Sequence, residues 1–377
     1  MRLSRRSTVL LLLALLHAYV GARLLPDMPG GALACAAGVV LLALSYALMA
    51  HGVRSRGSPV SGWANRLVVA ALFATGLFSS LAVLTLIRDG LLLALAVWPG
   101  RSADLPALSA AAVPVAALAA SALGLANARR RARVVHVQVP LPGLPAQLHG
   151  FSIAQISDVH VGRTIGREYV AQIVAAVNAL EADLIAVTGD LVDGPVGELA
   201  AHTQPLAALR ARHGAFFVTG NHEYYSGVRE WLAELRRLGL TVLLNEHVVL
   251  RHAGARLLVA GVTDYSAGHF DPAQRSDPYG SLQGAPPDVS VRILLAHQPR
   301  TAAEAARAGF QLQLSGHTHG GQFWPWMWFV RLQQPFTAGL HRLNSLWIYI
   351  SRGTGYWGPP KRLGAPSEIT LLRLIAA

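Results

Sequence analysis

Five short clusters in this 377-residue chain set Asp, His or Asn directly after an apolar run: Asp158-Val159-His160, Gly189-Asp190, Gly220-Asn221-His222-Glu223, Ala296-His297-Gln298-Pro299 and Gly316-His317-Thr318-His319-Gly320. Imidazoles, carboxylates and amide oxygens are the ligands that manganese, iron and zinc accept. The single cysteine, Cys35, lies in an apolar stretch, so any metal must be held by nitrogen and oxygen. Two divalent cations ~3.5 to 4 Å apart need one carboxylate that touches both, and Asp190 suits that part. A water shared by such a pair has its pKa lowered toward neutrality and can attack phosphorus. The alternation in Asp158-Val159-His160 and in His317-Thr318-His319 predicts extended segments that send two polar side chains into one cavity, with flanking glycines allowing close backbone approach.

The elements that position these clusters follow from periodicity. Beyond residue 133, short apolar runs alternate with amphipathic helical patterns, which predicts an α/β domain over 134–377. Strands are expected at 152–157, 183–188, 215–219, 241–250, 256–262, 291–296, 312–315, 346–351 and 368–374, and helices at 166–180, 198–212, 228–238 and 301–308. Each cluster then follows a strand, and open α/β sheets gather ligands at the carboxyl ends of their strands.

Residues 1–133 read differently. Four apolar segments, about 8–25, 31–50, 67–87 and 105–126, are long enough to cross a ~30 Å hydrocarbon layer as helices, giving an all-α transmembrane anchor. A fifth run, 90–98, is too short to cross alone and is expected to be interfacial or re-entrant. Arg2, Arg5, Arg6, Arg54, Arg56, Arg66, Arg129, Arg130, Arg131 and Arg133 fall on one side if four helices alternate. On the other side Arg23 is expected to pair with Asp27, and Arg88 and Arg101 with Asp89 and Asp104. This asymmetry predicts both termini and the α/β domain in the cytoplasm of a bacterium, with the chain integral to the inner membrane. The formal charge of +12 thus resides mainly in the anchor, and no specific nucleic-acid partner is expected.

The ordered set of five clusters resembles the calcineurin-like metallophosphoesterase superfamily, over about residues 150–377, and a bacterial membrane-associated branch that shares Gly-Thr-Gly-Tyr-Trp-Gly-Pro-Pro, here at 353–360. The resemblance implies a four-layer α/β (α+β) sandwich of two mixed sheets flanked by helices. It implies that Asp158, His160, Asp190 and His319 bind one metal, and Asp190, Asn221, His297 and His317 the other. It gives His222 the role of protonating the leaving oxygen and Asp193 that of orienting His222, a pairing that general acid chemistry also favours. The phosphoprotein-phosphatase pattern has an arginine where this chain has Gly194, which argues against that branch.

The expected activity is metal-dependent hydrolysis of a phosphodiester or pyrophosphate bond, in a lipid-linked or nucleotide-like substrate, with membrane lipid as a further partner. The alternatives are a phosphomonoesterase acting on a soluble metabolite and a catalytically silent membrane scaffold. Phe323-Trp324-Pro325-Trp326-Met327-Trp328-Phe329-Val330, just beyond His319, reads either as a buried strand edge or as a loop dipping into lipid headgroups, with Tyr356 and Trp357 lining the same mouth. Arg300, Arg352 and Arg362 are candidates for phosphate contact, and Asp264 for a supporting contact.

Overall fold

The computed structural model describes residues 4–55, 62–97 and 102–377, so Arg2, Arg56, Arg101 and the last residue of the 90–98 run lie outside the described residues. The chain divides into two compact units, one of Met1–Asn127 with Gly358–Lys361 and one of Ala128–Trp357 with Arg362–Ala377.

The first unit is built on α1 (Arg5–Leu24), α2 (Gly31–Arg54), α3 (Gly62–Ala96) and α4 (Leu105–Arg129), all long and apolar enough to cross a membrane. The run at 90–98 is not a separate piece, because α3 continues unbroken to Ala96. It can do so because its two mid-helix charges are neutralised. Arg88 is 3% exposed and bonds to Asp27, to Ser109 Oγ at 3.0 Å and to the carbonyls of Arg23 and Pro106 at 2.9 and 3.1 Å. Asp89 accepts from Arg23 Nε at 2.8 Å and from Tyr19 Oη at 2.6 Å. Of the expected pairs, Arg88 keeps Asp89 at 3.6 Å but also takes Asp27, and Arg23 takes Asp89 rather than Asp27, so the acids are shared across chain segments rather than within one loop. Lys361, from the 358–361 segment of this unit, donates to Gly76 O at 2.8 Å, Ser80 Oγ at 2.5 Å and Ser121 Oγ at 3.1 Å.

The second unit carries twelve strands in two mixed six-stranded sheets. In chain order they are β1 (Arg133–Leu141), β2 (Ser152–Ile156), β3 (Leu184–Val187), β4 (Ala215–Phe217), β5 (Thr241–Val242), β6 (Glu246–His252), β7 (Ala255–Gly261), β8 (Val291–Leu295), β9 (Leu312–Ser315), β10 (Gly339–Leu343), β11 (Leu346–Ile350) and β12 (Glu368–Ala376). One sheet runs β1-β12-β2-β3-β4-β5 and the other β10-β11-β9-β8-β7-β6. Residues of both sheets, among them Ile153, Leu184, Phe216 and Leu372 facing Leu257, Ile293 and Leu314, form one buried cluster between them. The helices are α5 (Arg167–Asn178), α6 (Val196–Thr203), α7 (Asn221–Tyr225), α8 (Val228–Arg237), α9 (Ala302–Arg307) and α10 (Met327–Val330). The outer face of the first sheet packs on Ile173, Val177, Trp231 and Leu235 of α5 and α8, that of the second on Ala302 and Ala305 of α9. Four layers result, as the resemblance implied. Strands such as β2 and β3 are buried throughout because both of their faces are covered, which is why they read as continuous apolar runs.

Three departures have local causes. The run 241–250 is two strands in different sheets: Asn245 takes φ +58°, and the chain crosses from the first sheet to the second there. The helix expected at 198–212 ends at Thr203, because Pro205 lacks the N–H and forces a tighter turn over Gln204–Ala208. Strands β1 and β10 were not expected; both lie at sheet edges, half exposed, where the apolar signal is weak.

Candidate metal centre

Strand ends from both sheets converge at one place. Asp158 and His160 follow β2, Asp190 follows β3, Asn221 and His222 follow β4, His297 follows β8, and His317 and His319 follow β9. Buried bonds within and between the sheets hold these ends in register: Gln155 Nε2 donates to Thr188 Oγ1 in its own sheet and to Ser315 O in the other, both at 2.9 Å, and Ser315 Oγ donates to Ala296 O at 2.6 Å.

The backbone at the ligands is not extended. Asp158, His160, Asp190, His317 and His319 have φ of 53°, 53°, 50°, 69° and 53°, in the left-handed region that non-glycine residues seldom occupy. Such strain persists only where the surroundings impose it, and it gathers at functional sites. The extended alternation expected for these motifs is thus replaced by turns. As a consequence His317 and His319 go to different partners. At Gly189, φ is +86° and an added Cβ would lie 2.6 Å from Gly220 N and 2.8 Å from His297 Nδ1, so the three loops approach this closely only with glycine.

Three groups of candidate ligand atoms result, each within 4.8 Å of one another: Asp158, His160 and His319; Asp190, His297 and His317; and His160, Asp193 and His222. In the first, His160 Nε2 lies 3.0 Å from His319 Nε2, which is 3.3 Å from Asp158 Oδ1. In the second, His297 Nε2 lies 3.1 Å from Asp190 Oδ2 and 3.2 Å from His317 Nδ1. Asp190 Oδ2 is also 3.9 Å from His160 Nε2, so it stands between these two groups. The outer nitrogens fix the ring orientations: His297 Nδ1 donates to Thr188 O at 2.7 Å and His160 Nδ1 to Asp193 Oδ1 at 2.9 Å, leaving the Nε2 lone pairs inward. Burial, then the neighbouring His297, pushes the His317 pKa down to about 3, which keeps the ring neutral, the form that a metal accepts. Gly220 occupies the helix-cap position, so Asn221 is not needed there, and Asn221 Oδ1 is buried without a hydrogen-bond partner. Inward lone pairs, two buried carboxylates and an unpartnered amide oxygen are what divalent cations would satisfy, so the residues fit a metal pair.

His222 and Asp193 flank this centre at its solvent side. His222 Nδ1 is 2.6 Å from Asp193 Oδ1, and His222 Nε2 is 3.9 Å from Asp190 Oδ2. Burial opposes protonation of His222, yet the Asp190 charge and the Asp193 bond hold its pKa up at about 9. Asp193 serves both His222 and His160, which the spacing alone did not indicate.

Residues 151–321 match the calcineurin-like phosphoesterase family. A bovine protein named "Transmembrane protein with metallophosphoesterase domain" is 42% identical over 269 residues, covering 68% of this chain and 60% of that protein. A metallophosphoesterase of Aquifex aeolicus is 34% identical over 224 residues, which cover 84% of it and 59% of this chain. The chain belongs to the calcineurin-like phosphoesterases. It spans somewhat under two thirds of the length of the bovine relative and 58% of a Danio rerio protein of the same name, to which it is 38% identical. The solved structure of Thermus thermophilus sulfate thiohydrolase SoxB overlays with a TM-score of 0.40 at 16% identity, over 56% of this chain and 53% of that one.

Further residues of this calcineurin-like centre escaped the sequence reading. Buried Glu223 accepts the backbone N–H of Asp190 at 3.0 Å, of Leu191 at 2.7 Å and of Gly220 at 2.7 Å, clamping two ligand loops together. The signal was there, since an acid three residues after a helix cap is the capping pattern. Replacing Glu223 with Gln turns an amide N–H₂ toward one of these donors, and we expect a loss of about 1 to 3 kcal/mol in the thermal or urea unfolding of the metal-free protein. Arg362 does not face solvent as a phosphate contact would: it is fully buried, donating to the carbonyls of His319 at 3.0 Å and Arg352 at 2.7 Å, and it supports the His319 loop. Arg352 pairs with Glu368 at 2.8 Å and Arg300 Nε donates to Gln333 O at 2.6 Å. Asp264 accepts from Gln298 Nε2, next to His297, at 3.1 Å.

The aromatic run is not a strand edge. It turns into α10, with Trp326, Trp328 and Phe329 exposed. Of the pair expected at the mouth, Tyr356 is buried with its hydroxyl on Thr164 O, whereas Trp357 is exposed and its ring meets His222 edge-on at 5.7 Å.

Proposed function

We propose that this chain is an integral membrane, dinuclear metal-dependent phosphoesterase that hydrolyses a phosphodiester or pyrophosphate bond in a lipid-linked or nucleotide-like substrate. The observation that carries the reading is Asp190 standing between two groups of inward-facing ligands, with a proton-bearing His222 alongside. Asp158, His160, Asp190 and His319 would hold one cation, and Asp190, Asn221, His297 and His317 the other. Manganese, iron or zinc, when bound, supplies Lewis acidity to the phosphoryl group and to the attacking water. His222 donates its proton to the leaving oxygen, and Asp193 keeps the ring turned toward it.

The test uses the purified full-length protein. Metal analysis should find two divalent ions per chain. Chelation should abolish turnover, and manganese or zinc should restore it. A diesterase prefers bis-p-nitrophenyl phosphate to p-nitrophenyl phosphate; the reverse preference would make this a phosphomonoesterase, and no turnover of any phosphoester by the metal-loaded protein would make it a scaffold. The arginine asymmetry supports both termini in the bacterial cytoplasm. Cysteines introduced near either terminus of the Cys35→Ser chain should react with an impermeant maleimide only after the cells are opened; labelling in intact cells would reverse the orientation.

A further inference from the structure

We infer that the turn around α10 is a docking surface for the headgroup region of a bilayer containing anionic lipid. Within seven residues it exposes Trp326 at 43%, Trp328 at 65%, Phe329 at 51% and Leu332 at 80%. Soluble surfaces seldom leave four large apolar side chains together in water. The turn is held in shape beneath them: Phe323 is buried, Trp324 N donates to Leu363 O at 2.8 Å, Trp328 N donates to Pro325 O at 3.1 Å, and the Trp324 and Trp328 rings meet edge-on at 6.0 Å.

Two observations select a lipid surface over a protein partner. First, residues 323–337 contain no acid and one cation, exposed Arg331, while indoles favour the headgroup zone, where an apolar ring and an N–H are both accommodated. Second, four helices long and apolar enough to cross a membrane belong to the same polypeptide, so lipid is tethered to the turn at high effective concentration.

The turn is also wired to the catalytic mouth. Gln322, one residue beyond the His319–Gly321 loop, donates Nε2 to Trp357 O at 2.8 Å and accepts Trp357 N at 2.8 Å, and the Trp357 ring abuts His222. Given the phosphoesterase reading above, on which this step rests, the fitting substrate is a phosphoester whose apolar part stays in the bilayer while its phosphorus reaches His222.

The experiment uses full-length protein in phosphatidylcholine and phosphatidylglycerol vesicles. In a Cys35→Ser background, Trp328→Cys and, separately, exposed Arg251→Cys on β6 carry a nitrobenzoxadiazole label. Lipids brominated high on their acyl chains should quench the label at 328 at least about twofold more than the label at 251. Equal quenching at the two positions overturns the docking surface. In the second arm, Trp326→Ser with Trp328→Ser should lower kcat/KM about 10-fold for hexadecyl p-nitrophenyl phosphate carried in the vesicles, and leave bis-p-nitrophenyl phosphate in solution within twofold. Unchanged turnover of both, or loss of both, overturns the link to an amphiphilic substrate. Should the unaltered protein hydrolyse neither compound, the phosphoesterase reading falls while the quenching still decides the docking.

Discussion

Asp190→Asn is expected to lower turnover of bis-p-nitrophenyl phosphate by at least about 10³-fold and to leave no more than one tightly held cation per chain. The reason is that the atom standing between the two ligand groups, Oδ2, must be an oxygen, and the amide places an N–H₂ there. Asp190 Oδ1 already accepts the His222 backbone N–H at 2.8 Å, while Oδ2 faces His297 Nε2 at 3.1 Å. An asparagine that keeps its oxygen on His222 N turns its N–H₂ toward His297. Loss of the Asp190 charge removes the largest influence that, against burial, holds the His297 pKa well above its usual value, so the ring becomes neutral: Nδ1 keeps donating to Thr188 O and Nε2 accepts. The metal-free fold therefore retains its hydrogen bonds, and its melting temperature should move little. Activity lost without loss of fold identifies the bridge. Near-normal turnover, or two cations still bound, would remove Asp190 from the centre.

The second large effect falls on His222. Its ring is held protonated through the neutral range by the nearby Asp190 charge and by Asp193, whose own pKa lies well below the usual carboxylate range because, against its burial, the His160 and His222 contacts favour the anion. In the metal-free protein the ring should keep its proton up to about pH 9, read by histidine NMR titration; cations that take up the Asp190 charge lower that value, and in either state a proton donor fails as pH rises through its pKa. His222→Ala should therefore cost about 10² to 10⁴-fold on a diester with an alkoxide leaving group, and much less with p-nitrophenolate, which leaves without a proton. The alkaline fall in kcat should vanish in the variant. Asp193→Asn removes the bond that raises the His222 pKa, so the same fall should shift to lower pH. An unchanged profile in both variants would assign the proton to another group.

The ligand types, their order along the chain and the four apolar spans were all legible in the residues, because each is a local pattern. A buried parallel strand is a run of Val, Ile and Leu whichever sheet it joins, and a span is a matter of length and hydropathy. Asp158, His160, Asp190, Asn221, His297, His317 and His319 could be singled out as candidates on that basis, and the structure gathers the aspartates and histidines among them into close groups. Their grouping could not be read from spacing, since spacing predicts direction only where φ and ψ are regular. Five of these residues are left-handed turns, so His317 and His319, two apart, face different partners.

Other features depended on residues distant in sequence. The run at 241–250 looked like one strand until Asn245 passed it from one sheet to the other. Arg23 takes Asp89 rather than the expected Asp27, and Arg88 takes Asp27 besides Asp89, because helices, not loops, decide which charges are adjacent. Glu223 closes two loops that are 30 residues apart in the chain, and Asp193 serves two histidines from different strands. The Trp326 and Trp328 side chains could equally have been core; only the packing around buried Phe323 left them in the open. Sequence by itself determined which atoms were available for metal and for lipid. Tertiary contacts decided which of them meet, because in irregular backbone a side chain's direction is set by what presses on the turn rather than by its place in a repeat.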